Sequence, residues 1–272
     1  MNVLSLFDGM SCGQIALDQL GIKVDNYFAG EIDKHAIYIT QKNYPNTKQI
    51  GSVTDVKGID LPRIDLLIGG SPCQGFSTAG NELNFEDPRS KLFFEYVRML
   101  KECNPKHFLL ENVGMKKEFR DIISKYLGVE PIEINSALVS AQNRKRLYWT
   151  NIPNIQQPKD KRLTAWEVLG LPVGARVGQP QPYPRDYKKQ GLKRVERIEF
   201  RSDYKSNTLI NDKRKNQIKT IDGYRKLTIK ECERLQTVPD GYTQGVSNTQ
   251  RYKMLGNGWT VDVIKHIFKN LK

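Results

Sequence analysis

Between residues 3 and 113 short apolar runs alternate with helix-forming stretches, and each run stops at a glycine, an acid or a cysteine turn. Val3–Phe7, Asn26–Gly30, Gln49–Val53, Ile64–Ile68 and His107–Leu110 read as buried strands. Gln14–Leu20, Lys34–Asn43 and Pro88–Cys103 read as helices, the last opened by Asp87 as N-cap with proline at the first helical position. Lys117–Leu127 adds a helix, and Val129–Asn135 and Leu147–Thr150 close the series as strands. Strands alternating with helices predict an α/β domain built on a mostly parallel sheet, whose ligands collect at the carboxyl ends of the strands.

Those ends are chemically loaded. After the first strand, Asp8-Gly9-Met10-Ser11-Cys12-Gly13 gives a strand, glycine turn and helix, which lets backbone approach a nucleotide. The spacing is not that of a pyrophosphate-binding turn. Glu31, at the end of the second strand, lies 18 residues past Gly13, close to where an acid meets ribose hydroxyls. The fourth strand stops at Gly69-Gly70 and turns through Ser71-Pro72-Cys73-Gln74-Gly75-Phe76-Ser77. Pro72 stiffens this turn just before the sulfur. A lone cysteine in such a turn is more often a small core residue, but Glu111 ends the next strand, and one helix separates the two. A right-handed crossover then sets thiol and carboxyl at neighbouring strand ends. In Gln142-Asn143-Arg144-Lys145-Arg146, the two arginines share one face of an extended segment.

From Ile152 the texture changes. Six prolines punctuate a basic stretch that reads as strand-poor, and residues 151–225 hold 17 Lys and Arg against 8 Asp and Glu in a chain of net charge +13. A basic region this lopsided fits a polyanion partner. The expected division is residues 1–151 as a catalytic and cofactor-binding domain, 152–225 as a small basic lobe, and 226–272 as a segment returning to the first domain. That last segment should carry a helix at Thr228–Leu235, opened by a Thr228/Glu231 capping box, and another at Val261–Phe268. Cys12, Cys73, Cys103 and Cys232 form no close pair, so neither a metal site nor a disulfide framework is expected, and a reducing compartment is. The opening residues lack a basic flank and no apolar run reaches the ~20 residues of a membrane span, so neither signal peptide nor membrane segment is expected.

Taken together the motifs resemble, in order and over essentially the whole chain, the DNA (cytosine-5) methyltransferase family. Phe7-Asp8-Gly9-x-Ser11-x-Gly13 resembles its S-adenosylmethionine motif, and Gly70-Ser71-Pro72-Cys73-Gln74 its nucleophile motif. Glu111-Asn112-Val113 and Gln142-x-Arg144-x-Arg146 resemble two further active-site motifs. Leu227-Thr228-x-x-Glu231-x-x-Arg234-Leu235-Gln236 and Gly256-Asn257-Gly258 resemble the closing pair. Several stretches, Leu92-Phe93-Phe94-Glu95 among them, are similar to the catalytic domain of the vertebrate de novo enzymes, while the short chain suggests a bacterial or phage, cytoplasmic enzyme.

The resemblance implies a Rossmann-like, S-adenosylmethionine-dependent methyltransferase sheet with a small basic target-recognition lobe. It implies methylation of cytosine C5 in double-stranded DNA, with S-adenosylhomocysteine as the second product. Cys73 would add to C6 of a flipped cytosine, Glu111 would carry a proton toward N3, Arg144 would stabilise O2, and Arg146 or a nearby phosphate would stabilise the closed loop. The cofactor would be bound by Phe7, Asp8, Gly9, Met10, Cys12, Gly13, Glu31, Ile32, Ser52, Val53, Pro72, Leu92, Asn257, Gly258 and Trp259. Gln74, Ser77, Arg89, Lys205 and Asn207 would meet DNA. Two departures stand out: Ser52 occupies the place of an aspartate beside the adenine, leaving Asp55 as an alternative, and Gly258 replaces a small or hydroxyl residue. A cognate restriction endonuclease without stable contact and a monomeric state are expected. The rival assignment is a tRNA cytosine-5 methyltransferase, which uses the same chemistry with less of a recognition lobe.

Overall fold

The structure is a computed structural model that describes residues 1–72, 88–183, 190, 195–209, 216–220 and 223–271. Two compact units are resolved. The first comprises Met1–Ile134, Lys145–Gln157 and Val263–Lys272, the second Asn135–Arg144 and Pro158–Asp262. The segment from residue 226 therefore divides: most of it belongs with the basic region, and only the last ten residues belong with the sheet.

In the first unit the chain runs β1 (Asn2–Leu6), α1 (Cys12–Gln19), β2 (Asn26–Gly30), α2 (Lys34–Asn43), β3 (Lys48–Gln49), β4 (Leu66–Gly69), α3 (Pro88–Cys103), β5 (His107–Val113), α4 (Lys117–Leu127), β6 (Ile132–Asn135) and β7 (Lys145–Thr150). The seven strands form one sheet in the order β3-β2-β1-β4-β5-β7-β6. β1 to β5 are parallel, and β7 runs antiparallel to β5. Val3, Leu4, Leu66, Leu67, Leu109 and Leu110 are buried completely, as strands covered on both faces require. Two bounds differ from expectation for local reasons. β3 ends at Gln49 because Gly51 adopts φ +75°, which breaks an extended run. β5 continues through Glu111 to Val113 because β7 pairs with it as far as Arg146.

The second unit holds α5 (Ala165–Leu169), β8 (Val177–Tyr183), β9 (Val195–Phe200), β10 (Gln217–Thr220), β11 (Gly223–Lys226), α6 (Ile229–Leu235) and α7 (Asn248–Asn257). A last helix, α8 (Val261–Phe268), begins at its edge. The expectation of a strand-poor region is corrected: β11-β10-β8-β9 form a four-stranded antiparallel sheet. Pro180 and Pro182, which read as breakers, lie within β8 opposite Ile198 and Glu196 of β9; among the described residues β10 pairs with β8 at Val177 and Gly178. The Thr228/Glu231 capping box on α6 is present as expected.

Candidate active site

The first unit brings three loaded strand ends to one edge. β1 lies between β2 and β4, so the sheet changes direction at the ends of β1 and β4, the place where open α/β sheets bind ligands. Leu6 stands beside Gly30 on one side and Gly69 on the other, and Gly69 stands beside Leu110. A side chain at residue 69 would meet the Tyr96 ring at 2.9 Å and the Leu6 carbonyl at 3.0 Å, so α3 closes on β4 only over glycine. The turn after β1, the Gly70–Pro72 run after β4 and Glu111 in β5 are thus neighbours.

The turn after β1 is held in an unusual backbone shape. Phe7, Gly9 and Ser11 take φ of 58°, 59° and 59°, and nothing lies within 4 Å of where a Gly9 side chain would start. Left-handed Phe and Ser carry strain that surrounding bonds must offset. Asp8 provides them: its carboxylate accepts from Ser11 Oγ and, at 2.8 Å, from the Tyr27 hydroxyl. Burial pushes the Asp8 carboxyl up to about 6, opposed by hydrogen bonds from Ser11, Ser5 and Tyr27, with the Glu31 charge adding to the rise. Met10 and Cys12 are buried beneath the turn.

Glu31 ties this turn to the next. Its Oε2 accepts from Gly9 N at 2.7 Å, and its Oε1 accepts from Ile32 N and Asp33 N at 2.8 Å each. Three backbone donors fix the carboxylate and fill Oε1, leaving Oε2 with capacity for one further hydroxyl donor. Ile32 beside it is 77% exposed, an apolar surface at the strand end. Ser52 shares a 2.7 Å hydrogen bond with Thr54, whose hydroxyl donates to Asp55, so both candidates near the adenine lie in one turn. The carbonyl of buried Val53 accepts from Arg98 of α3. Leu92 packs on the core, and Pro72 is exposed.

Asn112 joins the ends of β4 and β5, donating Nδ2 to the Ser71 carbonyl at 3.4 Å. Glu111 Oε1 sits 3.0 Å from Arg146 Nε, with side-chain exposures of only 10% and 14%. The register explains the meeting: Glu111 opposes Tyr148 and Val113 opposes Arg146, which puts the pair on one face of the sheet. Cys73, Gln74 and Ser77 lie outside the described residues, and Arg89 is described by its backbone alone.

Arg144 belongs to the second unit, where it bonds to backbone carbonyls. It is 3% exposed and donates Nη1 to the carbonyls of Leu209 and Gly256, and Nη2 to that of Gly258, at 3.0 to 3.3 Å. Gln142 is buried beside it, donating to Gln236 Oε1 and the Leu235 carbonyl while accepting from Leu209 N. Gln236 in turn donates to the carbonyls of Leu255 and Gly258. The turn carrying Asn257, Gly258 and Trp259 is therefore positioned by Gln142, Arg144 and Gln236.

The same segment fastens the expected DNA-reading loop. Gln142 forms a bridge to Ser206, Asn143 N donates to the Ser206 carbonyl, and Thr208 Oγ1 donates to that of Asn143. Lys205, expected to read bases, instead donates its ammonium to the carbonyls of Ala137 and Leu163 at 2.7 and 2.8 Å. Burial pushes that ammonium below its ordinary value. Asn207 lines a polar recess of about 350 Å³ with Gln181, Glu199, Phe200, Arg201 and Ser202. Asn216 holds it there by donating to the Asn207 carbonyl and to Ser206 Oγ. Sequence reasoning missed Tyr27 and Asn216, and gave Asn112 no role of its own within its motif; the available signal was a polar side chain inside, or bordering, a strand.

A parallel sheet with this glycine turn, acid and crossover is the fold of S-adenosylmethionine-dependent C5 methyltransferases. It matches the Entamoeba histolytica methyltransferase EhMeth with a TM-score of 0.70 at 19% identity, covering 100% of this chain and 99% of that one. The family model for C-5 cytosine-specific DNA methylases matches residues 1–164 and 117–272. The chain is 32% identical to the type II methyltransferase M1.ScrFI of Lactococcus lactis subsp. cremoris, over 99% of this chain and 77% of that protein. It is 28% identical to the type II methyltransferase M.FnuDI of Fusobacterium nucleatum, over 100% and 94% respectively. The chain belongs to the C-5 cytosine-specific DNA methylase family, and with it to the DNA (cytosine-5-)-methyltransferases.

Proposed function

We propose that this chain transfers a methyl group from S-adenosylmethionine to C5 of a flipped cytosine in duplex DNA, through an adduct between Cys73 and ring atom C6. The observation that carries the reading is the meeting, at one sheet edge, of the open Gly9 turn, the Ser71-Pro72 run into Cys73, and the Glu111–Arg146 pair. S-adenosylmethionine supplies an electrophilic methyl group. Gly9 and the backbone-fixed Glu31 carboxylate would hold its ribose, and exposed Ile32 and Phe7 its adenine.

Cytosine C5 is a poor nucleophile until a thiolate adds at C6. As the Cys73 sulfur adds, negative charge builds toward N3, where Glu111 would hold the proton that neutralises it. Arg146, 3.0 Å from Glu111 Oε1, fixes the carboxyl against the sheet. Arg144 acts through backbone, holding the Gly256–Gly258 turn that carries Asn257 and Trp259. The ring must leave the duplex stack to meet these groups, at a cost of a few kcal/mol. Among the DNA contacts, Asn207 is the base-edge reader and Lys205 its anchor, with Gln74, Ser77 and Arg89 meeting the flipped nucleotide and its neighbours. The two type II relatives suggest a restriction–modification setting, in which the chain acts as a cytoplasmic monomer and makes no lasting contact with a nuclease.

The test is covalent trapping. Duplex containing 5-fluorocytosine, with cofactor, should arrest the wild-type chain as an adduct, because fluorine cannot leave as a cation. Cys73→Ser should bind DNA and cofactor and give no adduct; trapping by that variant, or transfer to tRNA in place of duplex, overturns the proposal.

A further inference from the structure

In the second unit, one face of the small sheet carries a ladder of rings and cations that the proposed reaction does not use. The register β11-β10-β8-β9 sets Tyr224, Lys226, Gln217, Lys219, Gly178 and Phe200 on that face. Lys219 pairs across from Tyr224, and the row Lys226, Gln217, Gly178, Phe200 crosses all four strands. Gly178 is the gap in this row. A side chain there would meet Ile198 Cγ2 at 2.5 Å and Phe200 Cδ1 at 2.9 Å, so those residues lean over the glycine. Phe200 thereby reaches across two strands to stack on Tyr224, centroids 6.2 Å apart and planes 26° from parallel.

The ladder continues beyond the sheet. The Arg176 guanidinium lies over Phe200 at 5.7 Å and over Tyr204 at 5.6 Å, and Tyr204 meets Trp166 edge to face at 4.8 Å. Arg176 is fastened by a 2.6 Å bond to the Arg201 carbonyl, so the ladder runs into the loop that bears Asn207. Tyr224 is 52% and Tyr204 40% exposed, and Lys219 and Lys226 are exposed.

We propose that this face is a second DNA surface, which holds phosphates of the duplex, with Lys219 and Lys226 as counter-charges and Tyr224 as a hydroxyl donor. The inference rests on the proposal that duplex DNA is the substrate. Charge favours this occupant: exposed lysines flank exposed rings, in a region with more than twice as many basic as acidic residues. Phosphate contacts carry no sequence information, so such a surface should strengthen binding to every duplex alike.

The experiment measures duplex binding by the full chain across a salt series. Each phosphate contact adds about 0.9 to the slope of log affinity against log salt, so Lys219→Gln/Lys226→Gln should lower the slope by about 2. At near-physiological salt, affinity should fall roughly tenfold for target and random duplex equally, with methylation context unchanged. Lys219→Arg/Lys226→Arg, which keeps both charges, should bind as the wild type does. If the wild type binds and the Gln variant keeps its slope, the surface is wrong while the methyltransferase assignment stands. Loss of self-association in place of DNA affinity, read by sedimentation, would assign the face to a second copy and overturn the proposal. A wild-type chain that binds no duplex sinks the underlying function first.

Discussion

In the first unit, mostly apolar side chains fill the space around the sheet, with Tyr96 and Trp149 among those that carry a polar atom, and the chemistry hangs from turns at the strand ends. Leu4, Leu67 and Leu109 are fully buried there. In the second unit, Gln142, Arg144, Asn216, Glu233 and Gln236 are buried beside apolar residues such as Leu235 and Leu255, all five 3% exposed or less and all hydrogen-bonded. Glu233 is the extreme case: fully buried, it accepts from Gly241 N, Thr243 N and the Thr243 hydroxyl, with Arg251 Nη2 3.3 Å away. An apolar core tolerates change of shape better than change of polarity, whereas a buried network fails when one member is removed. The contrast suits the proposed parts: a common sheet edge for the reaction, and an individually wired frame for meeting DNA.

Four measurements bear on that contrast. The largest effect is expected for Glu233→Ala, which strands several buried donors and a guanidinium at once. It should cost about 3–5 kcal/mol in urea unfolding, with amide exchange rising in the second unit before the first. Equal exchange in both units would deny that the network belongs to one of them. Leu109→Ala is the counterpart in the apolar core and should cost about 2–5 kcal/mol. It should raise exchange in β4 and β5, the strands that meet at Leu109, and a change confined to the second unit would contradict the core described here.

The third measurement follows the pH dependence of stability. Asp8 in the folded chain titrates at about 6, above its ordinary 3.8. Between those values the folded chain holds a proton that the unfolded chain has released. This group's contribution therefore falls as pH rises from about 4 to about 6, by about 2–3 kcal/mol, and is level above. Asp8→Asn should flatten that part of the profile; an unaltered profile would place the titration elsewhere. The smallest effect is Thr228→Ala, which removes one half of the α6 capping box and should cost about 1 kcal/mol. A loss well beyond that would mean that Thr228 supports more than a helix end.

Legibility followed the same division. The bounds of β2, α2, α3, α4 and α8 could be read from apolar periodicity and capping residues, because burial in a covered sheet or helix repeats along the chain. The nearness of the turn after β4 to Glu111 followed from the crossover rule, whereas the place of the glycine turn next to them depends on β1 pairing with β4, which no local pattern announces. The four-stranded sheet did not, since Pro180 and Pro182 look like breakers although β8 carries both in its pairing with β9. Arg144 and Lys205 also misled, because a basic residue beside an active-site motif or in a basic lobe reads as a ligand contact. Their bonds go to carbonyls of Leu209, Gly256, Gly258, Ala137 and Leu163, up to 114 residues away, and no local pattern announces a carbonyl.

The interleaving of the two units has a consequence for synthesis. The sheet that begins at Asn2 takes in Val263–Lys272, so the part started first on the ribosome is completed last. At roughly 5–20 residues per second, the interval between Gln157 and Phe268 is roughly 5–20 s. Throughout it the emerging sheet lacks the apolar side of α8, on which Ile264, Ile267 and Phe268 are fully buried. A nascent chain of this kind offers chaperones a binding surface for seconds, and a ribosome paused before residue 261 would prolong that exposure.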